Sequence, residues 1–333
     1  MSHVIMAAEL GVNHNGSVDT ALAMVRSAAK CGVDAVKVQA FCASEFCTRD
    51  AMYQGQRQVD MFRRYELDRE ALARIAAECK ACGVDFFGTP DSLEQGRLLK
   101  ALGAKWIKVG SDDITNLPLI SELAKLGLPM ILSTGMATAD EICAACDAVE
   151  EALDANGWLA DKLTLLHCVS LYPTPIERAN LSRMNGLLEC RFVPVGYSDH
   201  TNGIEAAVGA ACIGATLIEK HFTMDRDADG PDHAFSADPE QMSELVRRIR
   251  LVEVMIGNGG INPSPAELEM RKIARRSIVS AVHLVPGERI KASDLAYKRP
   301  GTGLLPSMAQ HIIGKTATRA LAPDEQFKEG DWA

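Results

Sequence analysis

The run Val193-Pro194-Val195-Gly196-Tyr197-Ser198-Asp199-His200 leads through a helical stretch, Ile204 to Ile213, into Thr216-Leu217-Ile218-Glu219-Lys220-His221-Phe222. Both flanking runs are short and apolar, which reads as buried strands at 193-198 and 216-222 joined by a helix. Each ends in polar and charged side chains. The same unit recurs upstream, with apolar runs near 3-10, 34-41, 84-89, 106-110, 129-134 and 163-169 completing a set of eight. Helical patterns separate them, at Val18 to Cys31, Asp68 to Cys82, Ser92 to Leu102 and Ala139 to Leu153, and Pro239 to Ile256 follows the last strand. Alternating strands and helices at this spacing imply a parallel sheet with right-handed crossovers. Eight units predict an α/β fold closed into a (β/α)8 TIM barrel. A doubly wound open sheet is the alternative, weakened because no strand is followed by G-x-G-x-x-G.

The 333 residues exceed a barrel of about 250 residues by the size of a small module. Gly257-Asn258-Gly259-Gly260 follows a helix instead of opening one, so it reads as a helix stop and not a phosphate loop. The expected division is a catalytic barrel at 1-260, a linker at 261-275 and a β-rich module at 276-333. In that module Ser277 to Ala281 and Ile312 to Ala317 read as short strands, punctuated by Pro286-Gly287 and Pro300-Gly301.

A net charge of -9 and a pI near 5.5, with no clustered basic face, argue against a nucleic-acid partner. His3 to Leu10 has no basic n-region before it, and no apolar stretch reaches the ~18 residues of a membrane span. The expectation is a cytoplasmic protein without a membrane partner. Ten cysteines include two C-x-x-C spacings, Cys79/Cys82 and Cys143/Cys146. Both fall in helical segments, where small buried side chains are the simpler reading than a zinc knuckle.

In a barrel of this kind the C-terminal strand ends build the active site. Here they carry Glu9, Lys37 with Gln39, Thr89, Lys108 with Ser111, Ser133, Ser170, then Ser198 to His200 and Glu219 to His221. Period-two alternation puts Lys37 and Gln39 on one face, as it does Ser198 with His200 and Glu219 with His221. Charged groups buried together are costly unless paired or ligand-bound, so the pattern favours function over packing. Lys37 and Lys108 among hydroxyls suit phosphate and carboxylate. His200 and His221, on neighbouring strands, could bind one divalent ion and leave positions open for water and substrate, or could be two hydrogen-bonded histidines at the rim. Mixed imidazole and oxygen ligation suits Mn²⁺.

Several runs in order then resemble one family: Ala8-Glu9-Leu10-Gly11-Val12-Asn13-His14-Asn15-Gly16, Lys108-Val109-Gly110-Ser111, Leu132-Ser133-Thr134-Gly135-Met136, His167-Cys168 with Tyr172-Pro173-Thr174-Pro175, Gly196 to Thr201, Glu219 to Thr223 and Gly230-Pro231-Asp232-His233. They are similar to the N-acetylneuraminate (sialic acid) synthases over nearly the whole chain. Lys298-Arg299-Pro300-Gly301-Thr302-Gly303 resembles the antifreeze-protein-like (SAF) domain attached to those enzymes.

The resemblance implies a metal-dependent condensation of phosphoenolpyruvate with N-acetylmannosamine or a related N-acylated amino sugar, giving a nonulosonic acid and phosphate. It implies that His200 and His221 hold Mn²⁺, or another divalent ion such as Mg²⁺ or Co²⁺, and that Lys37, Thr89, Lys108, Ser111, Ser133 and Ser198 cradle phosphoenolpyruvate. Glu9 becomes a candidate for proton transfer or for positioning water. Gln39, Tyr172 and Asp232 fall on the acceptor sugar's site, and Arg299 would reach the sugar's N-acyl group in a domain-swapped homodimer. This chain has Gly110-Ser111-Asp112-Asp113 where members often show Gly-Ser-Gly-Glu, so Asp113 stands in for a longer acid, and Ser170 stands where some carry Asn. A legionaminic or pseudaminic acid synthase, using a diacetamido-trideoxyhexose, is the alternative within the group. Outside it, a Schiff-base keto-acid aldolase built on Lys37 or Lys108 remains open.

Overall fold

A computed structural model of the chain describes residues 3–53, 55–153 and 159–333. Residues 1–258 form one compact unit and 259–333 a second. The first is a closed barrel of eight parallel strands: β1 (Ile5–Glu9), β2 (Ala35–Ala40), β3 (Asp85–Pro90), β4 (Ile107–Val109), β5 (Met130–Ser133), β6 (Leu163–Cys168), β7 (Val195–Asp199) and β8 (Leu217–His221). All eight coincide with the apolar runs of the sequence. Closure is made at β1, where Glu9 pairs in register with His221 of β8 on one side and Lys37 of β2 on the other.

The intervening helices start where the sequence supplies a cap. Ser17 accepts a hydrogen bond from Thr20 N, Asp68 accepts one from Ala71 N, and Thr138 forms a reciprocal capping box with Glu141. Their apolar faces pack on the outside of the sheet, as Leu72, Ile75 and Cys79 do from Arg69–Cys82. Cys143 and Cys146 lie within Ala139–Ala152, so both C-x-x-C pairs are helical. Inside the barrel a separate apolar layer joins Ala7, Ala35, Phe87, Ile131, Leu166 and Leu217. The seam at β7 needs a glycine, because a Cβ on Gly196 would sit 2.2 Å from the carbonyl oxygen of Leu217. Among the described residues no helix is long and apolar enough to cross a membrane.

The second unit has its own core around Ile278, Leu284, Ile312, Leu321 and Phe327. Its antiparallel pair is β9 (Ser277–Ser280) with β10 (Leu295–Lys298). Two expectations change here. The stretch 261-275 is not a bare linker but carries the helix Pro265–Ala274, started by a capping box between Ser264 and Glu267. The run Ile312 to Ala317 is not a strand: Ile312 ends the helical turn Ala309–Ile312, and Thr316 and Ala317 make only isolated bridges, to Arg289 and Trp332. A short apolar run does not by itself distinguish the two conformations.

Candidate active site

Two residues beyond the apolar layer, alternation brings Glu9, Lys37, Thr89, Ser133, Cys168 and Glu219 to the same inner face. A cavity of about 360 Å³ opens there, lined by Lys37, Thr89, Ser133, Cys168 and Glu219 and, from the other strand ends, by Lys108, Ser198, His200 and His221. The barrel therefore changes from packing to chemistry within one pleat. Glu9 is fully buried and joins the site through Lys37, whose Nζ lies 2.9 Å from Glu9 Oε2.

Lys37 Nζ is also 3.1 Å from Glu219 Oε1 and donates to Thr89 Oγ1 at 3.4 Å. Burial lowers the Lys37 pKa to about 8, with Glu219 opposing and Lys108 adding to the shift. Burial alone would raise Glu219, but Lys37 and Lys108 hold its carboxyl down at about 2. The pair is thus ionised on both sides at neutral pH. Ser198 Oγ donates to Glu219 Oε1 at 3.1 Å, and Lys108 Nζ donates to the Val109 carbonyl at 3.0 Å.

Several polar atoms in this layer have no hydrogen-bond partner: Ser133 Oγ, Ser170 Oγ, Glu219 Oε2 and His221 Nδ1, with Glu9 Oε1, while Glu9 Oε2 has its ion pair to Lys37. Buried polar atoms are almost always satisfied, so a cluster of unsatisfied ones facing a cavity marks a place for a polar ligand. Gly135 makes room for it. Its N–H donates to Ser111 Oγ at 3.0 Å, and a Cβ there would stand 2.3 Å from Ser170 Oγ and 2.7 Å from Ser111 Oγ.

His200 and His221 sit with ring centroids 5.5 Å apart. His200 Nδ1 is 2.9 Å from the Val169 carbonyl, which can only accept, so Nδ1 carries the proton and Nε2 is the free nitrogen of the neutral ring. Burial disfavours charge on His200, yet Cys168 and that carbonyl outweigh it and raise its pKa. Burial pushes His221 well below the ordinary imidazole range, and His200 and Lys37 push in the same direction. A neutral imidazole is the form that binds a cation. Asp232 Oδ2 stands 3.4 Å from His221 Nδ1, its own pKa lifted to about 6 by burial. Among the described residues no three His, Cys, Asp or Glu side chains converge as a metal site. The donors this cavity offers a divalent ion are Nε2 of His200 and the ring of His221, which would leave its other positions to substrate and water.

Gln39, Ser111, Asp113, Ser170 and Tyr172 line the same cavity. Asp113 accepts from Asn116 Nδ2 at 3.0 Å, and burial raises its pKa. Tyr172 covers His200, with ring centroids 4.2 Å apart. Arg299 is exposed on the second unit. The cavity also takes in Cys168, Asp91, Asp112, Phe41, Phe46 and Phe62, to which the sequence reading gave no role, and Glu219, which that reading placed on one strand face with His221 without giving it a task.

The model of the NeuB family matches residues 24–260 and that of the SAF domain residues 275–331. The N,N'-diacetyllegionaminic acid synthase of Campylobacter jejuni is 37% identical over 99% of this chain and 100% of its own length. That of Legionella pneumophila is 40% identical over 95% of this chain and 90% of its own. Among solved structures, the N-acetylneuraminic acid synthetase of Leptospira borgpetersenii, in complex with citrate, superposes with a TM-score of 0.75 at 33% identity, covering 81% of this chain and 90% of that one. With its barrel and C-terminal module matched in this order, the chain belongs to the NeuB family of synthases and carries a SAF domain.

Proposed function

We propose that this protein condenses phosphoenolpyruvate with an N-acylated amino-sugar aldehyde, N-acetylmannosamine or a relative, giving a nonulosonic acid and inorganic phosphate. The reading is carried by the unsatisfied polar atoms that meet two lysines in one cavity. His200 and His221 would hold Mn²⁺, or Mg²⁺ or Co²⁺, which when bound supplies Lewis-acid polarisation of the aldehyde. Lys37 and Lys108, with the hydroxyls of Ser111, Ser133 and Ser198 and that of Thr89, would bind the phosphate and carboxylate of phosphoenolpyruvate. Held in this way, C3 of phosphoenolpyruvate faces the aldehyde carbon and forms the new bond, while positive charge develops at C2. The ionised carboxylate of Glu219, which lines the cavity, would stabilise that charge. Glu9 takes a proton from the water that adds at C2, and that proton passes to the former aldehyde oxygen, which the new bond leaves as an alkoxide and which becomes a hydroxyl. The C2–O bond to phosphate then breaks and the C2 hydroxyl gives its proton to the departing phosphate, leaving the 2-keto acid and hydrogen phosphate.

Two further elements belong to this reading. Arg299 of a second copy would reach the sugar's N-acyl group in a domain-swapped homodimer. A diacetamido-trideoxyhexose is the second candidate acceptor, supported by the 37% and 40% identity to the two N,N'-diacetyllegionaminic acid synthases. The test is phosphate release from phosphoenolpyruvate and Mn²⁺ with each sugar in parallel, in ¹⁸O-water, with product mass. Label in the keto acid and unlabelled phosphate are expected. Borohydride trapping of Lys37 or Lys108 with no need for metal would establish the aldolase instead.

A further inference from the structure

On the outside of the barrel, the helices Ala139–Ala152 and Arg183–Arg191 bring two cysteines together. Cys143 Sγ and Cys190 Sγ lie 3.3 Å apart and share a hydrogen bond, inside the contact distance of two sulfur atoms. All ten cysteines are free thiols, and among the described residues no other two share such a bond. Cys146, one turn along, is buried, whereas Cys143 is half-buried and Cys190 exposed. A contact that does not involve sulfur sets their register: Arg191 donates to the Cys143 carbonyl at 2.8 Å and pairs with Asp147 at 2.5 Å. Neither cysteine lines the cavity.

We infer that Cys143 and Cys190 are a reversible redox modification site, closing to a disulfide that clamps the two helices when a small-molecule disulfide such as oxidised glutathione is abundant. The inference stands apart from the synthase reading. A bond of about 2.05 Å asks the sulfurs to approach by about 1.3 Å, a movement that side-chain rotation supplies. Cys190, the exposed sulfur, is the point of entry. Its thiolate attacks the reagent's disulfide and expels one small thiol, and the thiolate of Cys143 then attacks the mixed disulfide and expels the other. The two protein sulfurs are oxidised and the two reagent sulfurs reduced, and the protons that the protein thiols lose leave on the two reagent thiols. The loop so closed, 143–190, contains β6 and the cavity residues Cys168, Ser170 and Tyr172. The link therefore restricts the unfolded chain across a segment that builds the site.

The full chain is equilibrated without air in oxidised and reduced glutathione, quenched with acid, alkylated and mapped by mass. Mildly alkaline buffer speeds the exchange, because the bond to Cys143 and burial raise the Cys190 pKa. The linked peptide pair should exceed the glutathione adduct on either cysteine by at least about 10-fold, since a thiol held in contact acts at an effective concentration far above that of the reagent. Cys212, exposed on the helix Glu205–Cys212, should take only the adduct. The linked protein should melt roughly 5 °C higher than the reduced one and return to the starting value with dithiothreitol. Cys143→Ser and Cys190→Ser, melting as the reduced wild type does, should show neither link nor rise. Separate adducts on the two cysteines, free thiols on both, or a linked form that melts no higher overturns the inference.

Discussion

Lys220 Nζ lies 2.9 Å from Asp199 Oδ2, and neither side chain has any solvent exposure. The pair sits on the outer face of β7 and β8, one residue out of phase with Ser198, His200, Glu219 and His221. Lys220 also donates to the Thr201 carbonyl at 2.5 Å, while Asp199 Oδ1 accepts from Thr201 N at 2.9 Å and Oγ1 at 2.8 Å. The strand ends that carry both imidazoles are thus tied to each other from behind. Lys220→Met strands Asp199 as an uncompensated buried charge and should cost about 3–5 kcal/mol. Adding Asp199→Asn should restore part of that loss. Urea unfolding of both variants checks this, through a fall in the midpoint at unchanged slope.

Lys37 gives the site a pH limb. With its folded pKa lowered to about 8, the ammonium is present below that pH and is lost as pH rises through it. Binding of a trianionic substrate needs the ammonium, so kcat/KM for phosphoenolpyruvate should fall above pH about 8, and Lys37→Met should lower the plateau and remove that limb. Stability should move the other way. Between about 8 and the ordinary value of 10.5 the unfolded chain binds the proton that the folded chain has released, so the contribution of Lys37 to stability rises with pH across that window. A pH series of unfolding midpoints for wild type against Lys37→Met isolates it.

Gly135→Ala should separate binding from folding. The added Cβ would stand 2.3 Å from Ser170 Oγ, 2.7 Å from Ser111 Oγ and 3.1 Å from Ser111 Cβ, all side-chain atoms. The Ser170 hydroxyl can rotate away, and a shift of a few tenths of an ångström at Ser111 carries its hydroxyl out of the anion cradle. The expected result is a KM for phosphoenolpyruvate raised roughly 10-fold, the equivalent of about 1.4 kcal/mol, with the melting temperature nearly unchanged. An unchanged KM would remove Ser111 from the cradle.

The barrel was legible because its strands are buried on both faces, which makes them near-continuous apolar runs, and because the alternation within each run survives at its polar end. Ala7 before Glu9, Ala35 before Lys37 and Leu217 before Glu219 show both halves of that signal. The aromatic lining of the cavity was not legible. Phe41, Phe46 and Phe62 lie on a connection with no period to place them, and only the fold brings them to the cavity. The helix Pro265–Ala274 could have been read, since Ser264-Pro265-Ala266-Glu267 is a capping box with proline at the first helical position. For Glu219 the position beside His221 was legible and the task was not. Its importance comes from Lys37 and Lys108, which are distant in sequence and adjacent only across the barrel.

Removal of an imidazole and removal of its support should differ in degree. His221→Ala deletes one of the two nitrogens proposed to hold the ion, so Mn²⁺ binding, read from the paramagnetic resonance signal of free Mn²⁺, should fall below detection along with turnover. Asp232 stands 3.4 Å from His221 Nδ1, an electrostatic neighbour of the ring and not one of the proposed ligands. Such outer partners are typically worth about 10–100-fold in metal affinity, so Asp232→Asn should weaken Mn²⁺ by that factor and regain activity when the ion is raised in proportion. Asp232 is also a candidate sugar contact, and the two roles separate at saturating Mn²⁺. A KM for the sugar that returns to the wild-type value assigns Asp232 to the imidazole, and one that stays high assigns it to the acceptor. Full Mn²⁺ affinity in His221→Ala would mean that the two histidines are not the ion's holders at all.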